Sequence, residues 1–467
     1  MERLFTGARE VRVRAYRQGF GDCFLLALPQ GDGEPFYVMI DCGLLLAAPK
    51  QRIEAVVRNI IAATGGTVHL AVVTHEHWDH LSGFLDARSL FNDERGTDPE
   101  KLTIERVWLG WTEDPTNALA MRLREERGER VRALSALIES APAGLGSAPM
   151  VEKLLSFFGT DLAARQSRTS LALETVVGLA RNEAEFLYPG GTPRTLAGVE
   201  GVRVYVLGPP ENETLLKRSN PRTSASEVYE EKGLALSPEL SFFAAAVGSN
   251  DEFATLARPF EVASLTPDEA GTDPFFRRTY FDETASWRRV EADWLEFSGE
   301  LALRLDRDTN NTSLALAFEL VPGGRVLLFP ADAQVGNWLS WQDVEWANGV
   351  TANDLLERTV FYKVGHHGSH NSTLRDLGLE RMRHPELIAM VPVDQGSAAR
   401  QGWSRIPFAP LLDRLQEKTR GRVLRSDDGE ALRDRPAPEG VTASVWQAFQ
   451  DRVIDAGLYY EIPFPLD

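Results

Sequence analysis

The sequence predicts an α/β fold, and three observations support this prediction. Between residues 11 and 74, short apolar runs typical of strands alternate with Gly-rich turns and one amphipathic helical segment. Two further strand-like runs, joined by a Gly-containing turn, form a predicted hairpin at residues 313–332. The composition is 43% apolar and 25% charged over 467 residues, which supports a sizeable core and excludes disordered or fibrous classes.

The opening segment, residues 11–43, contains the runs VRVRAY, CFLLAL and YVMIDCG, separated by turn residues. We interpret these runs as a β-meander. Residues 51–64 place apolar side chains at helical spacing, and residues 68–74 (VHLAVVT) form a short buried strand. A strand, a helix and a strand in this order indicate an α/β unit.

Two stretches depart from this pattern. Residues 111–200 have a strongly charged, helical pattern. Residues 211–300 mix helix and loop, and this segment is too long for an ordinary connection within a compact core. Between them, residues 201–210 contain the strand VRVYVL. We therefore predict a core formed by residues 1–110, 201–210 and 301–467, with two insertions at 111–200 and 211–300.

Charge and cysteine content limit the possible binding partners, metal sites and cellular location. The net charge of −18 argues against a surface that coats polyanions indiscriminately, although a local cation site remains compatible with it. Two cysteines are too few for a disulfide framework or a four-thiolate zinc site. The first residues lack the apolar stretch of a signal peptide, and no run reaches the length of a membrane helix. We therefore expect a cytoplasmic protein without membrane contact.

Histidines cluster directly after the VHLAVVT strand. Three of the eight histidines, together with one aspartate, lie in the segment His75-Glu76-His77-Trp78-Asp79-His80. Imidazole nitrogens and carboxylate oxygens are suitable zinc or manganese ligands, and functional groups gather at the carboxyl ends of strands in α/β folds. His75 and His77 project the same way from a turning loop, whereas Asp79 and His80 begin a helix and can reach a second ion.

This H-x-H-x-D-H segment resembles the signature of the metallo-β-lactamase superfamily. Asp41 in VMIDCG, Asp332 in LLFPADA and the segment KVGHHGS (363–369) resemble its other motifs. The segments QGFGDC (18–23), NNTSLAL (310–316) and KVGHHGS are most similar to the branch that contains the hydrolase domain of the competence protein ComEC. The resemblance implies an αββα sandwich of two mixed sheets with outer helices, here with large helical insertions added.

The resemblance also implies a ligand set for two divalent metal ions, zinc or manganese. His75 and His77 would hold the first ion; Asp79, His80 and His367 would hold the second; and Asp332 would bridge them. Asp79, His366 and Asp41 are the expected catalytic residues. Asp41 would hold the hydroxide or orient a histidine, and the order of His366 and His367 stays open.

Other positions near these motifs are harder to assign. No histidine lies between His80 and His366, so Asn310 or Asn311 would offer a weak amide ligand to the first ion, and a single ion or manganese is a further alternative. Asp22 is interpreted as the cap of a turn. Lys363 is expected to point away from the metal, because it lies on an extended strand three residues before the histidine pair.

Three functions follow from this sequence. The first is a binuclear metal-dependent phosphodiesterase or nuclease that acts on DNA, RNA or a nucleotide. The second is a hydrolase of a small ester, lactone or thioester that the insertions enclose. The third is an effector whose insertions bind a regulatory protein partner.

Overall fold

The computed structural model describes residues 4, 10–31, 33–45, 48–139, 167–219, 221, 227–229, 267–279, 281, 308–400, 403 and 405–466. The chain divides into two units. The first comprises Met1–Glu125, Ser156–Glu231 and Asp306–Asp467, and the second comprises Glu126–Leu155 and Lys232–Leu305.

The strands of the described residues, in chain order, are β1 (Glu10–Tyr16), β2 (Cys23–Leu28), β3 (Phe36–Cys42), β4 (Thr67–Val68), β5 (Leu70–Val72), β6 (Thr103–Ile104), β7 (Val107–Gly110), β8 (Glu185–Leu187), β9 (Arg203–Gly208), β10 (Ala315–Glu319), β11 (Val326–Phe329), β12 (Thr359–Lys363), β13 (Ile388–Val391), β14 (Val423–Arg425), β15 (Ile454–Asp455) and β16 (Tyr459–Pro465).

The helices of the described residues, in chain order, are α1 (Lys50–Thr64), α2 (Trp78–Asp86), α3 (Ala118–Glu139), α4 (Arg168–Leu179), α5 (Glu213–Leu216), α6 (Pro267–Thr272), α7 (Pro274–Thr279), α8 (Val335–Ser340), α9 (Ala352–Glu357), α10 (Gln395–Arg400), α11 (Ala409–Thr419) and α12 (Ala443–Arg452).

Most of these strands form two mixed sheets. The larger one has the order β15-β16-β1-β2-β3-β5-β7-β8, and the smaller one has the order β14-β13-β12-β11-β10-β9. In the larger sheet β1, β2 and β3 pair antiparallel, as the meander predicts, whereas β3, β5, β7 and β8 run parallel. In the smaller sheet β9, β10 and β11 are antiparallel, and β11 to β14 are parallel.

The two sheets pack face to face through one apolar core. Side chains along β2 point alternately to the two faces of the larger sheet. Phe24, Leu26 and Leu28 join the core that both sheets share. Leu25 and Ala27 point the other way and join a second core with residues of α1, α2 and α4. Helices α9 and α11 contact β11 and β13 of the smaller sheet. The predicted α/β sandwich of mixed sheets with outer helices is confirmed.

The predicted boundaries differ from the structure in two places. Helix α4 and strand β8 lie within the predicted 111–200 insertion, yet α4 packs on the larger sheet and β8 pairs with β7. The predicted strand at residues 68–74 is interrupted at His69, whose Nδ1 accepts a hydrogen bond from Tyr37 N at 3.0 Å. Residues 140–166 and most of 220–307, which belong to the two predicted insertions, lie outside the described residues.

None of the helices in the described ranges is both long enough and apolar enough to cross a membrane.

Candidate metal centre

The residues expected to bind metal follow the carboxyl ends of strands in both sheets. Asp41 lies at the end of β3, and the His75 to His80 segment follows β5, its parallel neighbour. In the smaller sheet Asp332 follows β11, and the pair His366 and His367 follows β12, again its parallel neighbour. Because parallel strands end at the same edge of a sheet, side chains from distant parts of the chain meet there.

Two glycines let the backbone approach the start of α2. A Cβ atom on Gly43 would lie 1.8 Å from the carbonyl oxygen of Asp79, and one on Gly21 would lie 2.7 Å from the same oxygen. Gly21 also has a φ of +143°, which other residues rarely adopt. Asp22 N then donates to Asp79 O at 3.0 Å. The glycines of the QGFGD and DCG motifs thus bring Asp22 against the metal-binding segment.

Four side chains form a compact group of potential metal ligands. One ligand atom each from Asp22, His80, Asp332 and His367 lies within 4.8 Å of the other three, and all four residues are buried. Asp332 Oδ2 lies 3.2 Å from His80 Nε2 and 3.7 Å from His367 Nε2. We call these four residues the ligand group. Asp79 borders it, since its Oδ2 lies 2.8 Å from His367 Nε2.

Asp41 orients one member of the ligand group. Its Oδ2 accepts a hydrogen bond from His80 Nδ1 at 2.8 Å and another from Thr74 Oγ1 at 2.7 Å, and its Oδ1 accepts one from Thr74 N at 2.9 Å. With Nδ1 engaged in this way, the ring turns its Nε2 toward Asp332. This is the geometry by which a carboxylate fixes the tautomer and direction of a metal-binding histidine.

Lys363 lies inside the site, and the expectation that it points away is wrong. Its Nζ lies 2.5 Å from Asp22 Oδ2, 2.8 Å from Asp332 Oδ1 and 2.7 Å from Ala331 O, and the residue is 1% exposed. Strand spacing alone missed this, because Asp332 comes from the adjacent parallel strand and Asp22 from the other sheet. Burial lowers the pKa of Lys363, but the charges of Asp22 and Asp332 outweigh burial and raise it.

Asp22 is a member of the ligand group, which corrects its interpretation as a turn cap. Its carboxylate is 1% exposed and pairs with Lys363. Burial raises the pKa of Asp22, in opposition to the charge of Lys363. Burial acts in the same direction on Asp332, yet Lys363, His80 and His367 together hold the pKa of Asp332 well below its usual value. Asp332 is therefore an anion at neutral pH.

His75 and His77 form a separate pair beside this group. His75 Nε2 lies 3.1 Å from His77 Nδ1, and Thr74 Oγ1 lies 3.1 Å from His75 Nδ1. Burial lowers the pKa of His75 well below its ordinary value and that of His77 to about 3, with further lowering by His80. Both rings are neutral at pH 7, the form that binds metal. Neither ring belongs to the ligand group.

His366 and His367 occupy different surroundings, although both have positive φ angles, 42° and 54°. His367 is fully buried, with Nδ1 2.5 Å from Pro392 O and Nε2 facing Asp79 and Asp332. His366 is half-buried, and its Nδ1 lies 2.9 Å from Ser369 Oγ. Its backbone N–H donates to Asp332 Oδ1 at 3.0 Å. The geometry places His367 in the ligand group and His366 at its rim.

The two asparagines that precede β10 have separate environments. Asn310 Nδ2 lies 3.4 Å from His366 Nε2, so this amide borders the site. Asn311 Oδ1 accepts hydrogen bonds from Gln334 N and Asn337 N, and its Nδ2 donates to Arg218 O. The amide of Asn311 is thus engaged around the start of α8, which leaves Asn310 as the one of the pair beside the histidines.

Glu76, inside the histidine segment, connects it to α4. Its Oε1 accepts hydrogen bonds from Thr169 Oγ1 at 3.1 Å and Ser170 Oγ at 2.5 Å. Arg168 lies over the ring of the buried Trp78, 4.2 Å from its centroid. Helix α4 therefore helps to fix the loop that carries the expected metal ligands.

The residues present fit a divalent cation. Asp22 Oδ1 and Asp79 Oδ1 are buried and have no hydrogen-bond partner within the described part of the chain. Buried polar atoms without partners are costly, and native structures rarely leave several of them together. Carboxylate oxygens and imidazole nitrogens are suitable zinc or manganese ligands. A divalent ion in the ligand group would satisfy these atoms.

Comparison with known proteins supports the same class. A family model described as the metallo-beta-lactamase superfamily matches residues 16–132, which include the Asp41 turn and the histidine segment. A search of curated proteins finds no match. Since members of that superfamily use divalent metals, the match and the buried ligand group together indicate a metal-dependent hydrolase.

Proposed function

We propose that this protein is a metal-dependent phosphodiesterase or nuclease, with DNA, RNA or a nucleotide as the substrate. The observation that carries the hydrolase chemistry is the ligand group with its buried, unpartnered atoms. The phosphodiester specificity is supported by the QGFGDC, NNTSLAL and KVGHHGS segments, which are most similar to the hydrolase domain of ComEC.

Asp22, His80, Asp332 and His367 would hold the metal, and His75, His77 and Asp79 lie close enough to extend the site. When bound, a divalent ion lowers the pKa of a water molecule, and its own positive charge stabilises the phosphoryl oxygens. Asp41 keeps His80 in the required tautomer. Lys363 holds Asp332 by its Oδ1, which leaves Oδ2 directed toward the histidines.

His366 and Asn310 are the polar groups that we assign to the substrate. Burial lowers the pKa of His366 to about 4, so the ring is neutral at pH 7. The ring is half-buried and lies beside the amide of Asn310. Both side chains offer hydrogen bonds to a non-bridging phosphate oxygen or to the leaving group.

The test is a cleavage assay on metal-depleted protein reconstituted with Mn²⁺ or Zn²⁺. Plasmid, single-stranded DNA, RNA and bis(p-nitrophenyl) phosphate would be compared for wild type, Asp332→Asn and Asp376→Asn. The last is a matched control, because Asp376 is a surface aspartate with a side chain 64% exposed. We expect metal-dependent cleavage by wild type and Asp376→Asn, and none by Asp332→Asn.

The same reconstituted protein also tests the alternative function, hydrolysis of a small ester, lactone or thioester. Hydrolysis of p-nitrophenyl acetate, a lactone or a thioester, without cleavage of any phosphodiester, would replace the proposal with a small-molecule ester hydrolase. Regulation by a protein partner through the insertions stays a prediction, because most of their residues lie outside the described ranges.

A further inference from the structure

A cavity lies at the opposite end of the larger sheet from the metal centre. Its volume is about 310 Å³. Phe36 and Leu70, which line it, are the first residues of β3 and β5, whereas Asp41 and Thr74 lie at or beyond the other ends of these strands. With about 3.3 Å per residue along a strand, the five steps from Phe36 to Asp41 put roughly 17 Å between the two places.

One wall of this cavity carries a guanidinium that lacks a counter-ion. Arg106 is exposed, and within the described ranges its side chain has no hydrogen-bond or ion-pair partner. Arg194, which also lines the cavity, pairs with Glu185 instead. The lining therefore includes two guanidinium groups and one carboxylate, with Arg106 left to meet an anion from outside.

The other wall is apolar and contains an unused donor. Trp108 is 4% exposed, and its indole Nε1 has no hydrogen-bond partner among the described residues. Buried indole N–H groups usually find an acceptor. Phe36, Leu70 and Leu196 complete the apolar surface, and Arg194 lies over the Trp108 ring at 5.9 Å from its centroid. This wall suits a flat ring that presents an acceptor atom.

We propose that this cavity binds a small aromatic molecule with one anionic group, a carboxylate or a phosphate. The anionic group pairs with Arg106, and the ring packs against the apolar wall that Trp108, Phe36 and Leu196 line. The volume lies at the lower end of the roughly 300–1,000 Å³ common for small-molecule sites. The inference does not depend on the proposed hydrolase function, because none of the lining residues belongs to the metal centre.

Isothermal titration calorimetry tests this site with defined probes. Adenosine monophosphate and benzoate carry both a ring and an anion, whereas adenosine lacks the anion and inorganic phosphate lacks the ring. We expect adenosine monophosphate or benzoate, or both, to bind. Adenosine and inorganic phosphate should each bind at least about tenfold more weakly.

Variants of the lining residues test whether the probe binds in this cavity. Arg106→Ala should weaken binding by about tenfold or more, and Trp108→Phe, which removes the indole donor, by a smaller factor. Arg58→Ala is the matched control, since Arg58 is exposed on α1 and does not line the cavity. Asp332→Asn should bind the probe as wild type does. No binding of either probe, or binding that Arg106→Ala leaves intact, would overturn the inference.

Discussion

The pair His75–His77 and the ligand group of Asp22, His80, Asp332 and His367 share one buried cluster but differ in charge. The pair consists of neutral rings whose pKa values are lowered, chiefly by burial. In the ligand group, carboxylates raise the pKa of His80 and His367 against the effect of burial, and Lys363 supplies a further cation.

This difference shows how a metal site can be preformed. Anionic ligands in a dry interior repel one another unless cations lie between them. Lys363 supplies such a cation between Asp22 and Asp332, so the carboxylates are already positioned close together. Because imidazole binds metal in its neutral form, the raised pKa values of His80 and His367 mean that protons compete with the ion at these two rings. Protons do not compete in this way at His75 and His77, whose pKa values are lowered.

The largest expected effect on metal affinity is that of Asp332→Asn. This change removes the central anion while preserving shape, so we expect metal affinity to fall at least about 100-fold, beyond the roughly 10–100-fold typical of residues that only hydrogen-bond to a ligand. Elemental analysis after dialysis against a weak chelator measures it. His77→Ala should retain more metal than Asp332→Asn. Equal loss from both would show that the distinction between pair and ligand group is wrong.

Lys363→Met should cost the metal-free protein about 3–5 kcal/mol of unfolding free energy, because it leaves Asp22 and Asp332 buried without their cation. Urea denaturation in the presence of a chelator measures this. Lys50→Met serves as the control, since its side chain is 59% exposed. The double variant Asp22→Asn/Lys363→Met should recover part of the loss. If the single variant is as stable as wild type, Lys363 does not balance the site.

Asp41→Asn should weaken metal binding by about 10–100-fold, because an amide no longer holds His80 Nδ1–H as a carboxylate does. Competition with a chromogenic zinc chelator measures the affinity, and thermal unfolding verifies the fold. Asp343→Asn, on an exposed residue, is the matched control. An unchanged affinity would mean that Asp41 is only structural.

The smallest effect lies outside the cluster, at Glu380. Hydrogen bonds from Arg414 chiefly lower its pKa to about 2, from an ordinary value of 4.5. A depressed pKa stabilises the fold above pH 4.5, and this contribution disappears as the pH falls through about 2.

Because Glu380 is 29% exposed, we expect Glu380→Gln to cost less than about 1 kcal/mol at pH 6, and less still near pH 2. Chemical denaturation of wild type and variant at both pH values measures the difference, with Glu439→Gln, on an exposed residue, as the control. A deficit of the same size at both pH values would contradict the assignment.

The sequence determined the features that depend on neighbouring residues. Short apolar runs bounded by turn residues predict β1 to β3 and the β10–β11 hairpin, because both signals lie within a few residues of each other along the chain. The spacing of His75, His77, Asp79 and His80 similarly predicts a cluster after β5. The glycines of the QGFGD and DCG segments belong to the same short-range pattern.

Only the tertiary structure decided how these pieces meet. Asp22 and Lys363 stand inside the motifs that carried the resemblance, yet their ion pair joins a loop of one sheet to a strand of the other. Likewise, β8 extends the larger sheet from within a predicted insertion. Such contacts depend on which distant segments become neighbours in a sheet, and residue spacing within one segment does not specify its neighbour.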